Sequence, residues 1–153
     1  MKNLLLFLTL LLSITVYSQK KDIKIKDDIV TVDGTAVFKI TTVSMGNLTT
    51  IYNLQGERLI VFTYQTYNDE AKKSQANPSG AVRFLDVTFL NEAMDKCEIG
   101  VDTKKGMVKQ VIDNELIDEN GKLNDKMIQQ FVRIHGTKFS DNKKTSTTII
   151  INN

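Results

Sequence analysis

The chain carries one cysteine (Cys97), one histidine (His135) and one proline (Pro78) in 153 residues. A lone cysteine permits no internal disulfide, so packing must hold the fold. One cysteine and one histidine are also too few for zinc sites built from those ligands. Charge of one sign is equally scarce: 20 basic residues face 18 acidic ones, and the lysines are interleaved with acids rather than gathered. A nucleic-acid binder concentrates basic charge on one face, so no nucleic-acid partner is expected. Missing too are a glycine-rich phosphate loop, a nucleophile elbow and a zinc-protease motif. The apolar run Leu4–Val16 is shorter than the roughly 20 residues needed to cross a bilayer core.

That run is nevertheless the most informative stretch. Lys2 precedes it, no polar face interrupts it, and Val16-Tyr17-Ser18 places modest side chains three and one residues before Gln19. This is the pattern of a secretory signal cut after Ser18. Residues 1–18 are expected to be a signal peptide and 19–153 a single exported domain, secreted or periplasmic. No cysteine follows the cut to accept a lipid, so a soluble mature chain with no transmembrane segment is expected. The remainder has the size of one hydrophobic core, and no repeat or composition shift divides it.

Period-two patterning dominates the first two thirds. Ile23-Lys24-Ile25-Lys26 alternates as a half-buried strand should. Ile29–Val32 and Thr35–Ile40 flank Asp33-Gly34, a pair suited to the positive φ values of a two-residue hairpin. Leu48–Asn53 and Arg58–Tyr67 predict a second hairpin turning near Gln55-Gly56, with Ile60, Phe62 and Tyr64 on one face. Val82–Leu90 sets Leu85, Val87 and Phe89 against Phe84, Asp86 and Thr88 on the other side. After a turn at Asn91–Met94, Lys96–Val101 groups Cys97, Ile99 and Val101 opposite Lys96, Glu98 and Gly100. The reading is an antiparallel sheet of six or seven strands, packed on one face and partly wet on the other. Asn68–Gly80 interrupts it: polar, aperiodic and holding the only proline, it predicts an exposed, mobile loop that is also a candidate for binding.

After Asp102 the period lengthens. Val108, Val111, Ile112 and Leu116 follow helical spacing, although Gly106 and the preceding lysines make a poor start, and Asp118–Gly121 ends the segment. The next helix is better marked. Asn124 caps it, Leu123 can staple onto Ile128, Asp125 and Arg133 suit the dipole, and Gly136 stops it in a left-handed conformation. Met127, Phe131 and Ile134 form its apolar stripe, with Ile128 and Val132 beside it. Thr145–Asn153, ending in Ile149-Ile150-Ile151, predicts a last strand returning to the sheet. The expected class is α+β: a hairpin-built antiparallel sheet, two C-terminal helices and a final strand.

Candidate chemistry is thin. A Cys97/His135 pair would be the sharpest nucleophilic arrangement, but Cys97 shares a strand face with Ile99, where a thiol behaves as a small hydrophobe. Asp118-Glu119-Asn120-Gly121 is acidic, yet a calcium loop counted from Asp118 would need glycine at Leu123 and glutamate at Gln129. The paired helices do not read as a DNA-binding unit, since the second offers only Lys126 and Arg133 as basic residues. No catalytic, cofactor or metal residue is assigned. The expected recognition surface is Tyr64, Tyr67, Asn68 and Pro78, where tyrosine offers contact area at low entropy cost.

Ser18-Gln19 at the cut, Ile29-Val30-Thr31-Val32-Asp33-Gly34, and the run Gly121-Lys122-Leu123 through Phe131 to His135-Gly136-Thr137-Lys138-Phe139-Ser140 resemble small exported flavobacterial proteins of the Bacteroidetes. The resemblance spans most of the mature chain. It implies a periplasmic or secreted location and carries over no catalytic residue. The Ile-rich end behind lysines is also faintly similar to the C-terminal sorting domains of that phylum, although those are all-β. The functional expectation is a monomeric, non-enzymatic exported domain binding a protein or envelope component through an open sheet face, the Asn68–Gly80 loop or the tail. A carrier of a small apolar ligand between sheet and helices is the alternative, and a hydrolase using carboxylates such as Asp86 a weaker one.

Overall fold

The computed structural model describes residues 21–43 and 47–147. The signal segment 1–18 and Ile149–Ile151 of the expected last strand lie outside the described residues. Seven strands, β1 (Ile23–Lys26), β2 (Ile29–Val32), β3 (Thr35–Val43), β4 (Leu48–Tyr52), β5 (Arg58–Asn68), β6 (Ala81–Phe89) and β7 (Lys96–Gly100), form one sheet in sequence order. Every neighbouring pair is antiparallel. Three helices follow: α1 (Lys104–Asp113), α2 (Asp125–His135) and α3 (Lys138–Thr147).

The turns explain the order. Asp33 and Gly34 take φ of 51° and 84°, as the hairpin between β2 and β3 requires. Between β4 and β5, the Asn53 carboxamide oxygen accepts from the Glu57 amide at 2.9 Å, and Gly56 supplies a φ of 93°. Bulges at Val30/Thr31 and Ile51/Tyr52 bend the early strands. Cross-strand register places Ile60 opposite Phe89, Phe62 opposite Val87 and Val87 opposite Cys97, so one face collects the apolar side chains. Against it lie Met107, Val108 and Val111 of α1 and Ile128 and Phe131 of α2, in a single core cluster. Phe131 meets Phe89 edge to face at 6.1 Å.

Helix starts and stops came out in part as the residues suggested. Asn124 caps α2, its side chain accepting from the Met127 amide at 3.4 Å. Gly136 stops α2 at φ 58°, ψ −151°, a mirror-extended conformation reserved for glycine rather than the left-handed one expected. The apolar stripe is also displaced: Ile128 and Phe131 are buried while Ile134 is 65% exposed. The poor start read for the first helix is corrected by Thr103, whose hydroxyl accepts from the Gly106 amide at 3.0 Å. Lys104 in that first turn is drawn to Asp28 of the β1–β2 turn, 2.6 Å away.

The larger correction is α3. Thr145–Thr147 continue this third helix instead of opening a last strand. Its sequence KFSDNKKTST has no apolar period, and serine, threonine and asparagine are weak helix formers. Tertiary contacts hold it. The Glu98 amide donates to the Gly136 carbonyl at 2.8 Å, covering part of the β7 edge where the chain crosses it. Beyond the crossing, Phe139 stacks on Phe84, ring centroids 5.0 Å apart and planes 4° from parallel. Phe84 alternates with Leu85, so α3 lies on the sheet face opposite α1 and α2.

Candidate functional site

Among the described residues, the Cys97 thiol and the His135 imidazole sit in different surroundings. Cys97 is fully buried, and burial, then the charges of Asp86 and Glu98, push its thiol up to about 12. His135 packs on Phe131 with centroids 4.3 Å apart, and burial, reinforced by Lys138, pulls its pKa below the ordinary value. With its thiol held protonated, Cys97 does not supply the thiolate that nucleophilic attack needs.

The carboxylate suggested for Asp86 does gain a neighbour, since Glu98 faces it across the β6–β7 ladder. Glu98 is committed elsewhere. Its Oε2 accepts from the Phe139 and Ser140 amides at 2.8 and 3.0 Å, and its Oε1 accepts from the Ser140 hydroxyl. A carboxylate capping a helix N-terminus satisfies orphan amides and complements the dipole. Burial raises the pKa of Asp86, with Lys96 opposing and Glu98 adding to the shift.

The four residues of the expected recognition surface are divided. Tyr64 packs against the core cluster, whereas Tyr67 sits on the opposite face, edge-on to Phe84 at 6.3 Å. Residues three apart in a strand cannot share a face. Asn68 and Pro78 are exposed at the β5–β6 tip, which is built rather than loose. Asn77 accepts from the Ala81 amide at 3.0 Å and donates to the Ala81 and Lys72 carbonyls at 3.2 and 3.3 Å. Asp69 caps a single 3₁₀ turn, Glu70–Lys72. Gly80 is required here: a Cβ would lie 2.1 Å from the Asp69 carbonyl oxygen, and φ is +66°. The expected mobile loop is thus internally hydrogen-bonded.

Sequence reasoning did not locate a concavity beside the β2–β3 hairpin. A cleft of about 500 Å³ opens between the β2–β3 hairpin, the β4–β5 turn, and the end of α1 with the loop after it. Val32, Val37 and Phe38 line the sheet side, and Val111, Ile112 and Ile117 the helix side. On the hairpin the small side chain of Thr35, opposite Val32 on the core-facing side, leaves the gap between sheet and helix unfilled. The polar groups stand on the rim: Lys21, Gln55, Glu115, Asp118, Glu119 and Asn120.

The rim is shaped by how α1 ends. The Leu116 amide donates to the Val111 carbonyl at 3.0 Å and Glu115 to Ile112 at 3.3 Å, a Schellman arrangement that turns Leu116 into the core. Glu115 holds the left-handed position of that motif at φ 52°, where glycine is commoner. The chain then folds back at Asp118, whose Oδ1 accepts from the Asn120 and Lys122 amides at 2.9 and 2.8 Å. The Lys122 amide bond is the main reason that its carboxyl lies below the usual carboxylate range. Among the described residues, no three histidine, cysteine, aspartate or glutamate side chains are grouped to hold a metal ion. The advance signal of the cleft was the small residue Thr35 beside the hairpin turn.

No family model, curated protein or solved structure matches the chain.

Proposed function

We propose that this chain is an exported, non-enzymatic binding domain of the bacterial envelope, carrying a small, largely apolar ligand in the cleft between sheet and helices. The observation that supports it is the cleft, whose volume lies within the roughly 300–1,000 Å³ of small-molecule sites, with an apolar floor and polar groups on the rim. The elements around it are fixed by the Asp33-Gly34 turn, the Asn53 clamp and the Schellman end of α1, so the site is preformed. Export is supported by the leader pattern of residues 1–18. Among the described residues no helix is long and apolar enough to cross a membrane. The buried thiol and the occupied Glu98 carboxylate weigh against catalysis.

A protein-docking reading is favoured by one observation, the hydrogen-bonded β5–β6 tip that presents Asn68 and Pro78. The open sheet face once expected for that role is partly covered by α3.

Native mass spectrometry of the chain recovered from its own envelope separates the readings. The expected result is a retained small molecule of defined mass, lost on Thr35→Trp and on Ile112→Trp, which block the cleft from opposite walls. A bare mass, together with a stoichiometric protein partner lost on Asn77→Ala, would overturn the carrier in favour of the docking domain.

A further inference from the structure

The cleft's charged groups are unequal. Three carboxylates (Glu115, Asp118 and Glu119) stand on its rim against a single ammonium, that of Lys21. All three follow the C-terminus of α1, whose Val111 and Ile112 form the adjoining wall. A helix C-terminus carries partial negative charge from its aligned peptide dipoles, and basic residues in the last turn ordinarily offset it. In α1 that turn holds no basic residue, and Lys109 is paired with Asp113. The negative end of the helix and the carboxylates therefore act in the same direction at one side of an apolar cavity.

We propose that the ligand class of this cleft is an amphiphilic cation: an apolar body on Val37, Phe38 and Ile112 with an ammonium head at the Glu115–Glu119 rim. The proposal rests on the carrier reading. An anionic amphiphile would have Lys21 to meet its head, with Lys122 already acting on Asp118, and would bring its charge against three carboxylates. A neutral one would leave the rim unused. A bare metal ion lacks the apolar body that the floor would cover, and the carboxylates are not grouped to chelate one.

Octylammonium, octanoate and octanol share one chain length and differ in head charge, so their binding isolates the rim. Titrations followed by amide chemical shifts should show octylammonium saturating, with shifts at Ala36, Ile112 and Glu115. It should bind about tenfold more tightly than octanoate at low salt, a difference of about 1.4 kcal/mol. Added salt should narrow that difference, because the rim is solvent-exposed. Glu115→Gln with Glu119→Gln should lower octylammonium affinity while leaving octanol binding unchanged; Asp118 is kept because its carboxylate holds the loop. Thr35→Trp should abolish all binding. Equal binding of the three probes, all lost in Thr35→Trp, would overturn the cation preference and leave the carrier standing. Octylammonium binding that survives Thr35→Trp would place the site elsewhere and overturn the proposal. Saturable binding by none of the three would overturn both readings.

Discussion

The two ends of the sheet are closed differently. At the β6–β7 end the space beside the strands is filled by rings: Phe89 against Phe131 on one face, Phe84 against Phe139 on the other. At the β2–β3 end Phe38 is followed toward the hairpin turn by the smaller Val32, Thr35 and Val37, and a cleft remains. The backbone architecture is the same meander throughout. Side-chain volume decides whether helix and sheet meet as core or as pocket. A buried phenylalanine contributes up to about 3 kcal/mol of transfer free energy, so the closed end anchors the fold.

This contrast can be broken most forcefully from the closed end. Phe131→Ala should cost about 3–5 kcal/mol in chemical denaturation, the range for a buried ring that leaves a cavity. Val37→Ala at the cleft wall, half-buried and already beside empty space, should cost about 1 kcal/mol or less. Equal losses would mean that the cleft end is as tightly packed as the other, and the comparison would collapse.

The attachment of α3 is expected to give an intermediate effect. Glu98→Ala removes the acceptor of the Phe139 and Ser140 amides and should cost about 1–3 kcal/mol. Hydrogen exchange should localise the damage, accelerating at Phe139 and Ser140 while the α2 amides stay protected. Unchanged exchange at Phe139 and Ser140 would show that ring stacking alone holds the helix.

The smallest effect concerns pH. His135 is held below its ordinary value by burial and by Lys138, so the folded state resists the proton that the unfolded chain accepts. That contribution is present above about 6.5 and is lost as pH falls through the depressed folded value. Unfolding midpoints should therefore decline slightly on acidification below neutral, and His135→Gln should flatten the decline. The group is partly exposed, so a steep loss in that window would point to a different titrating residue.

Much of the sheet was legible because its signals are local. Asp33-Gly34 takes both positive φ values, and the alternation of Leu85, Val87 and Phe89 sets the buried face, each acting over a few residues. Asn124 and Gly136 marked α2 for the same reason. Glu98 shows where that reading ends. Alternation assigned it with Lys96 to a wet face, yet it is 4% exposed because a segment 41 and 42 residues downstream lies over it. Tyr64 and Tyr67 were close in sequence and apart in space, since neither loop proximity nor residue type fixes a strand face.

Sequence alone determined the strand faces, the tight turn at Asp33-Gly34 and the caps of α2, because backbone sterics and hydrophobic period are decided between near neighbours. Only the tertiary structure decided that KFSDNKKTST is helical, that Glu98 is buried at its N-terminus, and that a cleft opens beside Thr35. Each depends on which distant surfaces meet and on how much volume their side chains bring to the meeting.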